Sequence, residues 1–270
     1  ATSSGVKIER IVITPDIANA WLERDAKNRK LQSHVISKYA RDMKSGAWQV
    51  TGDAVRFDMH SNLLDGQHRL KACVQSDAPF ETFVIYGLPP ETQDVMDIGK
   101  LRSPADMFTL MGLHNTNTLA GALRILVAER DGVRQKSFAL SSAEIKSAHS
   151  RHPKITRFLP TGGMLPKGIA PSQVGYLRYV GAEILKEPHV AQSMFEVLRF
   201  GVPAYSGDPI HAYRERIIRV GDSKSLTIAK DSRWWTLKAA FNMFRKQEST
   251  NHLRFGRDNC DIDGLDVTKL

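Results

Sequence analysis

An α/β domain followed by an all-α, basic domain is the architecture this sequence predicts, and three observations predict it. Up to residue 112, short β-branched runs alternate with helix-period stretches, as in an α/β or α+β fold. From Asn115 onward only helix-period stretches recur, joined by short breaks. The charge divides at the same place. Residues 1–114 hold 14 Lys/Arg and 14 Asp/Glu, whereas residues 115–270 hold 24 against 15 and carry the whole net charge of +9. Domains are therefore drawn over 1–112 and 113–270.

In chain order, Lys7 to Ile13 is rich in β-branching and reads as a strand. Thr14-Pro15-Asp16 then opens a helix, with Thr14 as cap and Pro15 in its first turn, anchored by Trp21 and Leu22. A second helix is capped by Ser33, carries Val35, Ile36, Tyr39, Ala40 and Met43 as its apolar stripe, and ends at Gly46. Trp48 wedges against the core. Ala54 to Phe57 and Leu63-Leu64 are short strands around a turn, and a helix runs from the following glycine turn through Val74. Phe80 to Tyr86 is a strand ended by Gly87, Pro89-Pro90-Glu91 opens a helix, and Ser103-Pro104 opens another.

In the second half Leu119, Leu123, Leu126 and Val127 form one stripe, and Ser141 with Glu144 matches a capping box. Helices are predicted over Val174–Leu185, Ala191–Phe200, Ile210–Val220 and Trp234–Phe244. Thr161 to Gly168 reads as a loop, because Pro166 interrupts it and it lacks the Gly-Lys-Ser/Thr ending of a P-loop.

With 41% hydrophobic and 25% charged residues the composition is that of an ordinary soluble globular protein. No apolar run approaches a membrane span and no signal-peptide pattern opens the chain, so a cytoplasmic location without membrane contact is expected. Two cysteines, Cys73 and Cys260, suit neither a disulfide scaffold nor a zinc cluster. The basic second half points to a polyanion, with nucleic acid ahead of a merely solvated surface.

One stretch concentrates chemistry. Between Leu63-Leu64 and Leu70 lie Asp65, Gly66, Gln67, His68 and Arg69. A strand-to-helix turn points backbone N–H groups and the positive end of the helix dipole outward, which makes an anion site. Gly66 permits the tight turn and the close approach of a ligand. Arg69 offers a fork for phosphate. Gln67 is placed to contact a ligand, and His68 to donate to a phosphate oxygen or to act as acid or base. Asp65 cannot bind phosphate; it is left as metal ligand, base or orienter of Arg69. In the basic half, Arg214, Arg216 and Arg219 on one helix and Lys238, Asn242 and Arg245 on the last are the candidate DNA contacts. Trp234 and Trp235 are candidate stacking groups, although Trp234 also belongs to the core stripe.

Gly66, Arg69 and Ala72 in a Gly-x-x-Arg-x-x-Ala turn, with Asn28-Arg29 upstream and strands on either side, resemble the ParB/sulfiredoxin superfamily over roughly residues 8–106. Asp65-Gly66-Gln67-His68-Arg69 looks like the DGxHR variant of ParB-like phage or mobile-element proteins. The resemblance implies a nucleoside triphosphate, ATP or CTP, held with Mg2+ at the start of that helix. It further implies that Arg102 keeps a phosphate contact and that Asp97, in place of a neutral amide, holds magnesium. Sulfiredoxins have a cysteine where this chain has Gln67, which excludes sulfinic-acid reduction. ParB partition proteins have Glu-Arg at Gln67-His68. Free-serine kinases of the superfamily share an Asp-Gly-His-His-Arg wording, which brings phosphoryl transfer to a hydroxyl within reach.

The expectation is a DNA-associated, Mg-nucleoside-triphosphate-dependent enzyme. It would hydrolyse the nucleotide or transfer its terminal phosphoryl to a hydroxyl, including one on a modified DNA base. The alternatives are a nucleotide-switched DNA-binding protein with little turnover and, last, a ParB-like nuclease. A homo-oligomer is compatible with the sequence and nothing in it selects one.

Overall fold

The computed structural model describes residues 5–24, 31–95, 103–133, 140–222, 229–250, 252–254 and 260–270. The chain divides into two compact units, 1–102 with 136–144 and 103–135 with 145–270.

The first unit is mixed α/β. Four strands, β1 (Lys7–Ile13), β2 (Ala54–Asp58), β3 (Leu63–Asp65) and β4 (Phe80–Leu88), form one mixed sheet in the order β1-β4-β2-β3. β1 runs antiparallel to β4, from Lys7 opposite Tyr86 to Ile13 opposite Phe80. β2 is parallel to β4 and antiparallel to β3. A parallel pair needs a crossover, and here it consists of β3 and α3 (Gln67–Ser76). Two further helices, α1 (Pro15–Leu22) and α2 (Ser33–Lys44), pack against α3. The core joins Ile13, Val55, Phe57 and Val84 of the sheet to Ala18, Ile36, Met43, Leu70 and Cys73 of the helices. Trp48 belongs to that core, edge-on to Tyr39 and Phe80 with its Nε1 donating to the Glu81 carbonyl.

Local signals fold as the sequence predicts at three helix starts. Thr14 accepts from the Ile17 N–H, Ser103 and Asp106 close a capping box, and Ser141 and Glu144 close another. Ser33 differs. It is the first residue of α2, and Gln32 is the cap, with no side-chain bond of its own.

The β2–β3 hairpin is fastened by Asp58, which is buried and accepts from the backbone N–H groups of His60 and Asn62 and from Asn62 Nδ2. Burial pushes the Asp58 carboxyl up, but these bonds outweigh it and hold the group below its ordinary value. A depressed native pKa stabilises the fold above the unfolded value of about 3.9 and is lost as pH falls through the native value. Asp58→Asn is therefore expected to cost about 1–3 kcal/mol near neutral pH. In urea melts repeated in acid, the deficit should shrink as the wild type loses its own carboxylate.

The second unit is helical: α4 (Pro104–Leu110), α5 (Thr116–Arg130), α6 (Ser142–Arg151, most of it in this unit), α7 (Pro171–Tyr179, continued by a π-helical turn to Ile184), α8 (Pro188–Phe200), α9 (Pro209–Asp222) and α10 (Lys230–Arg245). The apolar stripes of α5 and α10 turn inward as their spacing predicts, burying Leu119, Leu123, Leu126, Trp234, Leu237, Phe241 and Phe244. No helix among the described residues is long and apolar enough to cross a membrane.

Candidate functional site

The turn from β3 into α3 is built around Gly66. Its φ of +114° lies in the region that L side chains avoid, and a Cβ there would sit 2.9 Å from Val55 Cγ2. The turn caps α3 with a glycine, which has no side chain of its own to bond the helix start. The Gly66 N–H donates to Asp65 Oδ1 at 2.7 Å.

Asp65 holds two arginines. Its Oδ2 accepts from Arg56 Nη1 at 2.8 Å and from Arg69 Nη2 at 3.0 Å. Arg56 comes from β2, directly opposite Asp65 in the hairpin register. Arg69 Nη2 also donates to the Ala54 carbonyl at 2.8 Å. Arg69 is only 9% exposed, and its Nη1 is buried with no hydrogen-bond partner among the described residues. A buried guanidinium nitrogen without an acceptor costs on the order of 1–3 kcal/mol or more, because its hydration is not replaced. Two guanidiniums share one carboxylate, so the cluster keeps one unit of positive charge beside the positive end of a helix dipole. That combination attracts an anion.

Of the three roles that the sequence leaves to Asp65, orienting Arg69 fits this geometry. Both of its oxygens already accept hydrogen bonds, and two cations flank it, so it does not fit a magnesium ligand or a base. Asp97 and Arg102, like Asn28-Arg29, lie outside the described residues, as does a hold on magnesium through Asp97. Among the described residues no group of three His, Cys, Asp or Glu is arranged to hold a metal ion.

His68 is used for support. Its Nε2 accepts from the Gln32 N–H at 3.0 Å and so closes the otherwise uncapped start of α2. An accepting Nε2 places the ring proton on Nδ1, so Nε2 is not available to donate to a phosphate or to take a proton in the role read for His68. Gln67 is buried at the first position of α3. Cys73 lies on the inner face of α3 against the carbonyls of Ile13 and Ala78, and burial, helped by Asp77, pushes its thiol up to about 11. A protonated, enclosed thiol is not a nucleophile.

Sequence reasoning missed Arg56. Its only signal is an arginine inside a strand nine residues before an aspartate, the spacing that a short hairpin brings face to face.

In the second unit, most of the residues read as DNA contacts are internal ties. Lys238 is buried and pairs with Glu129 at 2.9 Å. Asn242 donates to the Asp261 carbonyl and accepts from the Asp263 N–H. Arg245 forms a two-pronged pair with Glu187 and also donates to the Asp263 carbonyl. Arg214 donates to the Leu198 carbonyl at the end of α8 and pairs with Glu215. These four are corrected from phosphate contacts to fasteners of the helical unit. Arg216 and Arg219 are exposed. Trp234 is buried edge-on to Tyr176, as a core residue, and Trp235 is half-buried.

No family model, curated protein or solved structure matches the chain.

Proposed function

We propose that the Gly66–Arg69 turn seats the phosphates of a nucleoside triphosphate, ATP or CTP, in a protein that acts on DNA. The observation that carries this reading is Arg69: buried, held in place by Asp65 and the Ala54 carbonyl, and left with one guanidinium nitrogen unpartnered among the described residues, at a helix start capped by glycine. A phosphate oxygen would satisfy that nitrogen, and the spare positive charge would offset the ligand's negative charge. The sequence resemblance points to the same turn and supplies the class of nucleotide.

Hydrolysis or phosphoryl transfer to a hydroxyl on DNA is the activity best matched to such a seat. Phosphoryl transfer depends mainly on positioning and charge stabilisation, and both are within reach of an oriented guanidinium and a row of backbone N–H groups. In this chain Arg69 would hold the phosphate, Asp65 and Arg56 would keep Arg69 aimed, and Gly66 would let the phosphate approach the backbone. A second reading, a nucleotide-switched DNA-binding protein with little turnover, is favoured by one specific observation: Asp65 and His68 Nε2 are already engaged and supply no ready base.

A single incubation of protein with magnesium, γ-labelled ATP or CTP, and DNA with and without hydroxymethylated bases tests this. Label on DNA supports transfer and free phosphate supports hydrolysis. Nucleotide retention without turnover supports the switch, and shortened DNA would bring back the nuclease reading. Absence of nucleotide binding refutes the proposal.

A further inference from the structure

We infer that the second unit takes a single strand of nucleic acid in a basic groove on α9. This rests on the proposal that the protein acts on DNA, and names the strand and the surface.

The groove has a volume of about 1000 Å³ and lies between α9, the segment 203–208 and residues 250 and 252–254. Arg216 and Arg219 from α9 and Arg254 from the opposite wall line it, with His211, His252 and Tyr205. His211, Glu215 and Arg219 follow one another at four-residue steps, so they share one face of α9 and that face is the floor.

Its walls are tied together. The Thr250 N–H donates to the Gly207 carbonyl at 2.7 Å, Ser249 Oγ donates to the Ser206 carbonyl at 3.0 Å, and the Tyr205 hydroxyl donates to the Glu248 carbonyl at 3.1 Å. The Tyr205 ring also stacks on Phe244. Such cross-links hold a concave surface open in advance and lower the ordering cost of binding.

Cations outnumber acids in the lining. Two acids line the groove, and both are occupied. Asp208 is buried and accepts from the N–H groups of Ala204, Ile210 and His211, which fixes the start of α9. Glu215 pairs with Arg214 and lies 3.9 Å from His211 Nε2. Among the described residues, no acid lies within ion-pair distance of Arg216, Arg219 or Arg254. Three arginines lining one cleft, with Asp208 bonded to backbone N–H groups and Glu215 to Arg214 and His211, form a phosphate track rather than a scatter of surface charge.

The shape selects a single strand. Duplex recognition puts a projecting element into a groove of the DNA. Here the protein supplies the groove, and the cationic lining of a cleft suits a strand that can bend into it. A strand held there also leaves its bases free of pairing, as chemistry on a base requires.

The test is a salt titration of affinity for a labelled mixed-sequence oligonucleotide, single-stranded and annealed. It compares the full chain with Arg216→Ala/Arg219→Ala, with Arg254→Ala, and with Lys146→Ala/Lys154→Ala as a control of equal charge loss. The single strand should bind more tightly than the duplex. The arginine pair should lose at least tenfold, with the salt slope falling by about 0.7 for each phosphate contact removed. The lysine control should bind as wild type, and thermal melts should show every variant folded, because all the changed residues are on the surface. If the wild type binds DNA but the arginine variants match it, or if duplex outcompetes single strand, the groove is wrong and the DNA reading survives. If the wild type binds neither form, the DNA reading itself has failed.

Discussion

Gly66→Ala is expected to be among the most damaging single substitutions in the first unit. Alanine at a φ of +114° is strained, and its Cβ would press on Val55 Cγ2 at 2.9 Å. Val55 is fully buried between the sheet and its helices and cannot swing aside. Backbone strain of about 1–3 kcal/mol adds to overpacking of about 1–3 kcal/mol. The sum is a large share of the stability of a small unit. Denaturant unfolding measures the loss directly. Val55→Ala in the same chain should return the steric part and leave the strain. Nucleotide affinity should stay low in the double variant, because α3 would still start from a distorted turn. A Gly66→Ala protein as stable as wild type would mean that the turn is not held in this conformation.

The second large effect lies at Glu129. Lys238 Nζ is 2.9 Å from Glu129 Oε1, with the lysine side chain 1% exposed and the glutamate 15%. The ammonium also lies 5.3 Å from the Trp234 ring, which adds some attraction but no countercharge. Glu129→Ala breaks an ion pair whose ammonium is buried, a change that costs about 3–5 kcal/mol in comparable sites. Replacing both partners with apolar residues of similar size, Glu129→Leu with Lys238→Met, should recover most of that loss. Equilibrium unfolding of the single and double variants closes the cycle. A Glu129→Ala protein within about 1 kcal/mol of wild type would show that the Glu129–Lys238 pair contributes little to the stability of this unit.

These examples also show which features the sequence can disclose. Helix starts are legible because their signals are local. Thr14 with Pro15, Ser103 with Asp106, and Ser141 with Glu144 each complete their bonds within a few residues. The strands are legible from β-branching, but their order is not. β1 and β4 pair across some seventy residues, and no local pattern announces that Ile13 faces Phe80. At the site, Gly66 and Arg69 were readable from the motif. The hub at Asp65 was not, because Arg56 reaches it through hairpin register, and His68 meets Gln32 through the packing of α3 on α2.

The basic face of α10 misleads for a physical reason. Lys238, Asn242 and Arg245 each follow an apolar residue of the stripe formed by Leu237, Phe241 and Phe244. At 100° per residue they border the buried side, where they meet the acids and carbonyls of neighbouring segments. Arg216 and Arg219 flank Ile217 and Val220 of α9 in the same way, but they open onto a groove. Helical spacing shows which residues share a face and leaves open what lies opposite.

The central claim is that a nucleotide phosphate completes the partner set of Arg69. Equilibrium binding of ATP and CTP to the full chain and to Arg69→Lys tests it most directly, with thermal melts to establish that the variant is folded. Lysine keeps the charge but loses the fork that reaches Asp65, Ala54 and the ligand together. At least one of the two nucleotides should bind the wild type, and the variant should bind it at least tenfold more weakly, about 1.4 kcal/mol. Equal affinity in the two proteins, or no binding by the wild type, would contradict the account.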